Sequence, residues 1–258
     1  MERLRVFMSR TRVGNWSVLL VALGTAVQTE ALASVPKEHG GSRITLQQAV
    51  KSLRPLSTEE IEVLQTIEDL RARLTVRPDD PGLRGWRAWL YYLGMDYDSA
   101  IADMWFVLRD APDLLEARTF LGKVYLEKAE VLYLKEQGSP RVWQLNELAI
   151  AELERVRTTA PDDEEASHLL AQAFNDKAYF LYLRRQDLPL ALDLINKAIG
   201  LHAAETFYLG TKAEVLYALG RSREALPHIR RALKDYPDEP ELLKDLEMIK
   251  SFLSAKSR

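Results

Sequence analysis

Four helix-ending prolines followed by acids set a spacing that few folds accommodate. They stand at Pro78-Asp79-Asp80, Pro112-Asp113, Pro161-Asp162-Asp163 and Pro237-Asp238, and the intervals are 34, 49 and 76 residues. The second interval exceeds one 34-residue period by 15, and the third exceeds two periods by 8. A fixed period of roughly 20–50 residues marks a stack of repeated units, because each unit alone leaves one apolar face unburied.

Within each period the apolar residues recur at steps of three and four, so the pattern is helix, turn, helix. Tyr91 is followed by Ala100 after nine residues, Tyr125 by Ala149 after 24, and Phe174 by Ala191 after 17. The excesses of 15 and 8 therefore fall inside the second and third repeats, in agreement with the proline intervals. Ala203 stands where the third repeat would end in proline, and the fourth, with Ala213, Leu216, Gly220, Ala225, Ala232 and Pro237, has no insertion. Small residues at Ala88, Gly122, Ala171 and Ala213, and at Ala100, Ala149, Ala191 and Ala225, let paired helices approach closely, which makes them packing positions rather than a site. Inside the insertions the apolar period continues through Ala129, Val131, Leu132 and Leu134, and again through Tyr179 to Leu183, so longer helices packed as a ridge are expected there. An aromatic partner site is the alternative.

Composition closes other routes. With 12 Gly, 11 Pro and no Asn-Gly or Asp-Gly, frequent hairpin turns between strands are hard to build. The absence of cysteine removes disulfides, thiolate metal sites and thiol nucleophiles. A net charge of −3 gives no electrostatic footprint for nucleic acid, and 47% hydrophobic residues argue against a disordered chain.

At these residues the chain resembles the tetratricopeptide repeat family, whose 34-residue unit carries Leu-Gly-x-x-Tyr on its first helix, Ala on its second and Pro at its end. Leu121-Gly122-x-x-Tyr125 and the fourth repeat carry the match, which covers about residues 58–255. The tryptophan near the start of the family's first helix is replaced in register by Arg84, Arg118, Ser167 and Leu209. The resemblance implies an all-α fold: a right-handed α-solenoid of helix hairpins with a C-terminal capping helix. The repeat domain is expected over 57–255, with repeats at 81–112, 113–161, 162–203 and 204–237 and the cap at 240–255. Ser57 and Glu60 have capping-box spacing for a helix from Thr58 to about Arg77 that Pro78 stops. In the cap, Leu242, Leu243, Leu246, Ile249 and Phe252 are expected to oppose Lys244, Asp245, Glu247 and Lys250.

Arg3, Arg5, Arg10 and Arg12 precede an apolar run from Val18 to Val27, and Ala31-Leu32-Ala33 suits a signal peptidase. Residues 1–33 are expected to be a cleaved signal peptide and 34–56 a flexible leader, giving an exported, periplasmic protein. The alternatives are an uncleaved anchor, which would be the chain's one connection to a membrane, and an organellar transit peptide.

The chemistry of catalysis has little to build on. His39, His168, His202 and His228 include no pair at i and i+4, and no phosphate loop, nucleophile elbow or metalloprotease motif occurs. Glu59-Glu60 and Glu164-Glu165 fall in expected first helical turns, where the helix dipole favours negative charge. The expectation is no enzyme, no cofactor, no metal and no nucleic-acid partner.

In the resembling family the first helices line a concave groove. Carried over position by position, that implies Trp89 and Tyr92, then Thr119, Lys123 and Glu127, then His168, Gln172, Asn175 and Asp176, then Phe207, Glu214 and Tyr217. The ligand implied is a peptide or protein segment held by aromatic anchors and positioned by the Gln172 and Asn175 amides. Thr119, Lys123, His168 and Gln172 depart from the lysine and asparagine clamp of the chaperone-tail subtype, which disfavours a terminal carboxylate as ligand. Leu70 to Gly94 also bears a weaker resemblance to the repeat domain of c-type cytochrome biogenesis proteins. An assembly factor or chaperone-like adaptor of the cell envelope is thus expected. The alternative is a structural scaffold of a secretion, polysaccharide or cell-wall complex.

Overall fold

A computed structural model describes residues 69–70, 72–136 and 139–255, so the signal peptide expected at 1–33, the leader expected at 34–56 and most of the helix expected from Thr58 lie outside the described residues. The chain divides into two compact units at Ala117/Arg118.

In the first unit a short helical stretch at 72–76 ends before Pro78. Helix α1 (Pro81–Leu93) starts with proline in its first turn, where a missing N–H is no loss, and the Asp80 carboxylate accepts the Leu83 N–H at 3.0 Å. Helix α2 (Tyr97–Asp110) is capped in the same way, Asp96 accepting from the Ser99 N–H at 3.2 Å. The two form a hairpin in which Ala88 and Ala100 are wholly buried. Asp103 is buried on α2 and receives two guanidinium groups from α1, Arg84 at 3.0 Å and Arg87 at 2.6 Å.

The second unit carries α3 (Leu115–Lys135, its first turn at the boundary), α4 (Pro140–Thr159), α5 (Glu164–Leu183) and α6 (Leu188–Leu201). It ends with α7 (Tyr208–Ala218), α8 (Ser222–Asp235) and α9 (Pro240–Ala255). Asp163 and Asp187 cap α5 and α6 by accepting from Ala166 and Leu190 N–H groups. From α4 onward each helix packs on the next, and α7 also touches both α5 and α9, so the first helices of successive hairpins form a layer of their own. No strand occurs among the described residues. Ala149, Ala171, Ala191, Ala213 and Ala225 are all wholly buried, as residues at close helix crossings must be.

The extra residues lengthen helices. α3, α4 and α5 have 21, 20 and 20 residues against 13 and 14 for α1 and α2. Along the added length Tyr133 of α3 meets Phe180 of α5 with ring centroids 5.6 Å apart, and Lys177 of α5 pairs with Glu147 of α4 at 2.6 Å.

One expectation for α9 is corrected. Asp245 is buried beside Leu242 and Ile249, whereas Leu243 and Phe252 are exposed. Steps of three and four from Leu242 pass through Asp245 to Ile249, so helical geometry puts the carboxylate on the inner face despite its charge.

Candidate functional site

The first helices of the second unit present the residues of interest at helical steps. On α3, Lys123, Glu127 and Glu130 share one face; on α5, His168, Gln172, Asn175 and Asp176 do so. Where the faces of α3, α5 and α7 meet, the structure gathers Glu130, Asn175, Asp176 and Tyr208. The Asn175 amide donates to the Asp176 carboxylate at 3.2 Å. Asn175 is 8% exposed, yet its Oδ1 accepts no hydrogen bond, and neither does the buried Oε1 of Glu130.

Electrostatics follow from this crowding. Burial raises the Glu130 carboxyl to about 7, and the Glu127 charge adds to the effect. Burial likewise raises Asp176 to about 7; the Asn175 amide opposes that and the Glu130 charge reinforces it. The Tyr208 phenol is pushed above its ordinary range by burial first, then by the carboxylates of Asp176 and Glu205 and by Tyr236. The result is a group of acceptors among which ionised carboxylates are costly.

That cost has a measurable sign. In the unfolded chain both carboxyls ionise near pH 4, whereas in the fold they hold protons up to about pH 7, so stability falls as pH rises through that window. Solvent access to Glu130 and the coupling of the pair reduce the expected loss to about 1–3 kcal/mol between about pH 4.5 and 8. Glu130→Gln should remove much of this loss and raise stability at pH 8 while leaving pH 4.5 unchanged. Urea unfolding across the range checks it; an identical pH profile for wild type and variant would show that Glu130 does not titrate as described.

The other sequence-derived positions lie outside this cluster. Phe207 precedes α7 rather than lying within it and packs edge-on against Tyr236 at 5.7 Å. Glu214 is buried, and Tyr217 stands edge-on to Phe252 at 5.8 Å. In the first unit Trp89 is 44% exposed and edge-on to Trp86 at 6.2 Å, while Tyr92 leans on Tyr97 at 6.3 Å.

Three features escaped sequence reasoning. Glu130 lies one turn beyond the family's groove positions, on the part of α3 that the insertion supplies. Tyr208 begins α7 and carries no motif. His168 stacks on His202 at 4.5 Å, a pair that a search at i and i+4 on one helix does not reach. Burial and then the neighbouring His202 lower the His168 pKa, with Glu205 opposing. Among the described residues no group of three or more His, Asp or Glu is placed to hold a metal ion.

No protein-family model and no curated protein matches the chain. Solved structures similar to it include MamA of AMB-1, 24% identical over 64% of this chain and 78% of that one, with a TM-score of 0.44. MamA of Desulfovibrio magneticus RS-1 is 16% identical over 89% of this chain and 99% of that one, with a TM-score of 0.47. A thermophilic TPR protein of Thermus thermophilus is 18% identical over 90% and 98%, with a TM-score of 0.40. At these identities and scores the likeness decides nothing about function. What the described helices themselves show is an all-α arrangement in which consecutive helices pair within each unit.

Proposed function

We propose that the second unit is a non-catalytic protein-interaction module, which receives a peptide or protein segment on the layer formed by α3, α5 and α7. The supporting observation is the Asn175 carboxamide, buried on that layer with an acceptor left unmatched. The small residues elsewhere serve packing, whereas this acceptor, in our reading, belongs to a surface that a bound segment completes. In this reading Lys123, His168, Gln172, Asn175, Asp176, Phe207, Glu214 and Tyr217 border the bound segment, and Trp89 and Tyr92 offer a separate contact on the first unit. The biological role would be that of an assembly factor or chaperone-like adaptor of the cell envelope, c-type cytochrome maturation included, if the N-terminal segment directs export.

Affinity capture with the full chain, followed by mass spectrometry of what is retained, provides the test. A narrow set of peptides or one small protein supports the adaptor; a single large folded complex supports a scaffold instead. With the captured partner, Tyr217→Ala should weaken binding by about 1–3 kcal/mol, since interface energy concentrates in large rigid rings. Glu164→Ala, in the first turn of α5, should change it little. Equal affinity for wild type, Tyr217→Ala and Gln172→Ala/Asn175→Ala would remove this layer as the binding surface.

A further inference from the structure

We propose that the joint between α6 and α7, residues 202–207, is an acid-sensitive hinge: the stacked rings of His168 and His202 hold it closed, and protons taken up by the pair release it.

This joint differs from the others in what fixes its backbone. Ala111, Ala160, His202 and Tyr236 each follow the last residue of a second helix, and their backbones agree, with φ of −132°, −129°, −142° and −128° and ψ of 70°, 80°, 73° and 63°. In each case the carbonyl also accepts the N–H three residues on, at 3.1, 3.1, 3.2 and 3.3 Å. Proline follows Ala111, Ala160 and Tyr236, and it disfavours the helical region for the residue before it. His202 is followed by Ala203 and Ala204, and alanine is the best helix former, so the local sequence alone would let α6 run on. What stops the helix at His202 is its side chain, stacked on His168 of α5 with ring centroids 4.5 Å apart and planes inclined at 28°.

That clasp works only with neutral rings. Two imidazolium ions at this separation repel, and an imidazolium donates from both nitrogens, whereas the buried Nδ1 of His202 has no hydrogen-bond partner. Burial first, then His202, lowers the His168 pKa, and Glu205 opposes them. Glu205 is only a partial counter-charge, since its Oε1 already accepts the Phe207 N–H at 3.1 Å and the Tyr236 hydroxyl of the α8 cap at 2.6 Å. The surrounding elements carry further charged or titratable groups. Arg157 of α4 donates to Ser167 Oγ at 3.3 Å, Glu164 and Glu165 lie one turn before His168 on α5, and Lys197 of α6 pairs with Asp193 at 2.9 Å. Tyr208 begins α7, and Asp235 of α8 accepts the Thr206 hydroxyl at 2.6 Å.

A histidine whose pKa is lowered in the closed joint binds its proton more tightly when the joint is open. Closure is therefore favoured above the ordinary histidine value near 6.5 and loses that advantage as pH falls below it. One such histidine raises the open population by up to about tenfold at pH 5.5. Glu130 and Asp176 act on stability with the opposite sign, so the hinge is read locally rather than from global unfolding.

Amide hydrogen exchange of the full chain, followed by nuclear magnetic resonance at pH 7.5 and 5.5 and corrected for intrinsic rates, provides the test. The amides of His202, Glu205 and Phe207 are all bonded in the closed joint. Their opening should increase about three- to tenfold on acidification, while those of Asp163 and Glu239, at the Pro161 and Pro237 joints, should not change. His168→Phe keeps a ring and removes the charge, so it should hold the joint closed at both pH values. Ala203→Pro supplies what the other joints have and should likewise abolish the acid response; if His168→Phe lacks the native helical spectrum, Ala203→Pro decides. The proposal is overturned if the three amides are equally protected at both pH values, if the Pro161 and Pro237 joints open to the same extent, or if the response survives in Ala203→Pro or in folded His168→Phe.

Discussion

Gly122→Ala should destabilise the chain, and Leu153→Ala in the same molecule should return part of the loss. A Cβ built at Gly122 would lie 2.5 Å from Leu153 Cγ and 2.7 Å from its Cδ2. Leu153 is wholly buried on α4, so its branch point has nowhere to go. Alanine is the better helix former by about 1 kcal/mol, which alone would favour the substitution. Overpacking a filled core costs about 1–3 kcal/mol, and here the clash is with a branch carbon rather than a flexible tip, so steric cost decides the sign. Leu153→Ala alone should cost about 2–5 kcal/mol. The new methyl then occupies part of the space vacated, and the two changes together should cost less than their sum by about 1 kcal/mol or more. Urea unfolding of the four proteins measures this coupling. Strict additivity would mean that α3 and α4 do not meet at this point.

The second large effect concerns the buried carboxylate of Glu152. Its side chain is 5% exposed and is bound by Arg118 from α3, itself 14% exposed, and by the more exposed Arg155 one turn along α4 at 2.9 Å. Arg118→Met strands the carboxylate with only the outer partner. Breaking a buried pair in this way costs about 3–5 kcal/mol, and the remaining Arg155 contact should reduce that to about 2–4 kcal/mol. Replacing both residues, Arg118→Met with Glu152→Leu, should recover most of it, because no uncompensated charge remains. A melting temperature for Arg118→Met within error of wild type would show that solvent reaches Glu152.

Much of the hairpin architecture is legible in the sequence because it depends on period. Proline spacing and the Tyr-to-Ala distances are local counts, and the excesses they locate appear as the long helices α3, α4 and α5. The pairings across helices are harder to read. Arg84 and Arg118 are recognisable as replacements for a tryptophan, but nothing in a linear pattern says that their partners are Asp103 and Glu152. The spacing does carry a trace of it: the partners lie 19 and 34 residues on, and the difference is the 15-residue insertion. The candidate site is less legible still. Asn175 and Asp176 follow from a family position, while Glu130 and Tyr208 join them only through the way α3 and α7 flank α5. For Asp245, charge alone points to the wet side of α9, and helical phase overrides it.

The two arginine to carboxylate contacts recur at one register in the first and second hairpins, and Ser167 and Leu209 occupy that register in the third and fourth. In a chain of similar hairpins, one error open to folding is for a first helix to settle against the wrong second helix. A hydrophobic contact would tolerate that exchange. An arginine or carboxylate enclosed without its counterpart does not, since the stranded charge is penalised by several kcal/mol. The two contacts thus give the first two hairpins a charged label that the third and fourth lack at this register, and a helix exchanged between the two groups would leave a charge unmatched.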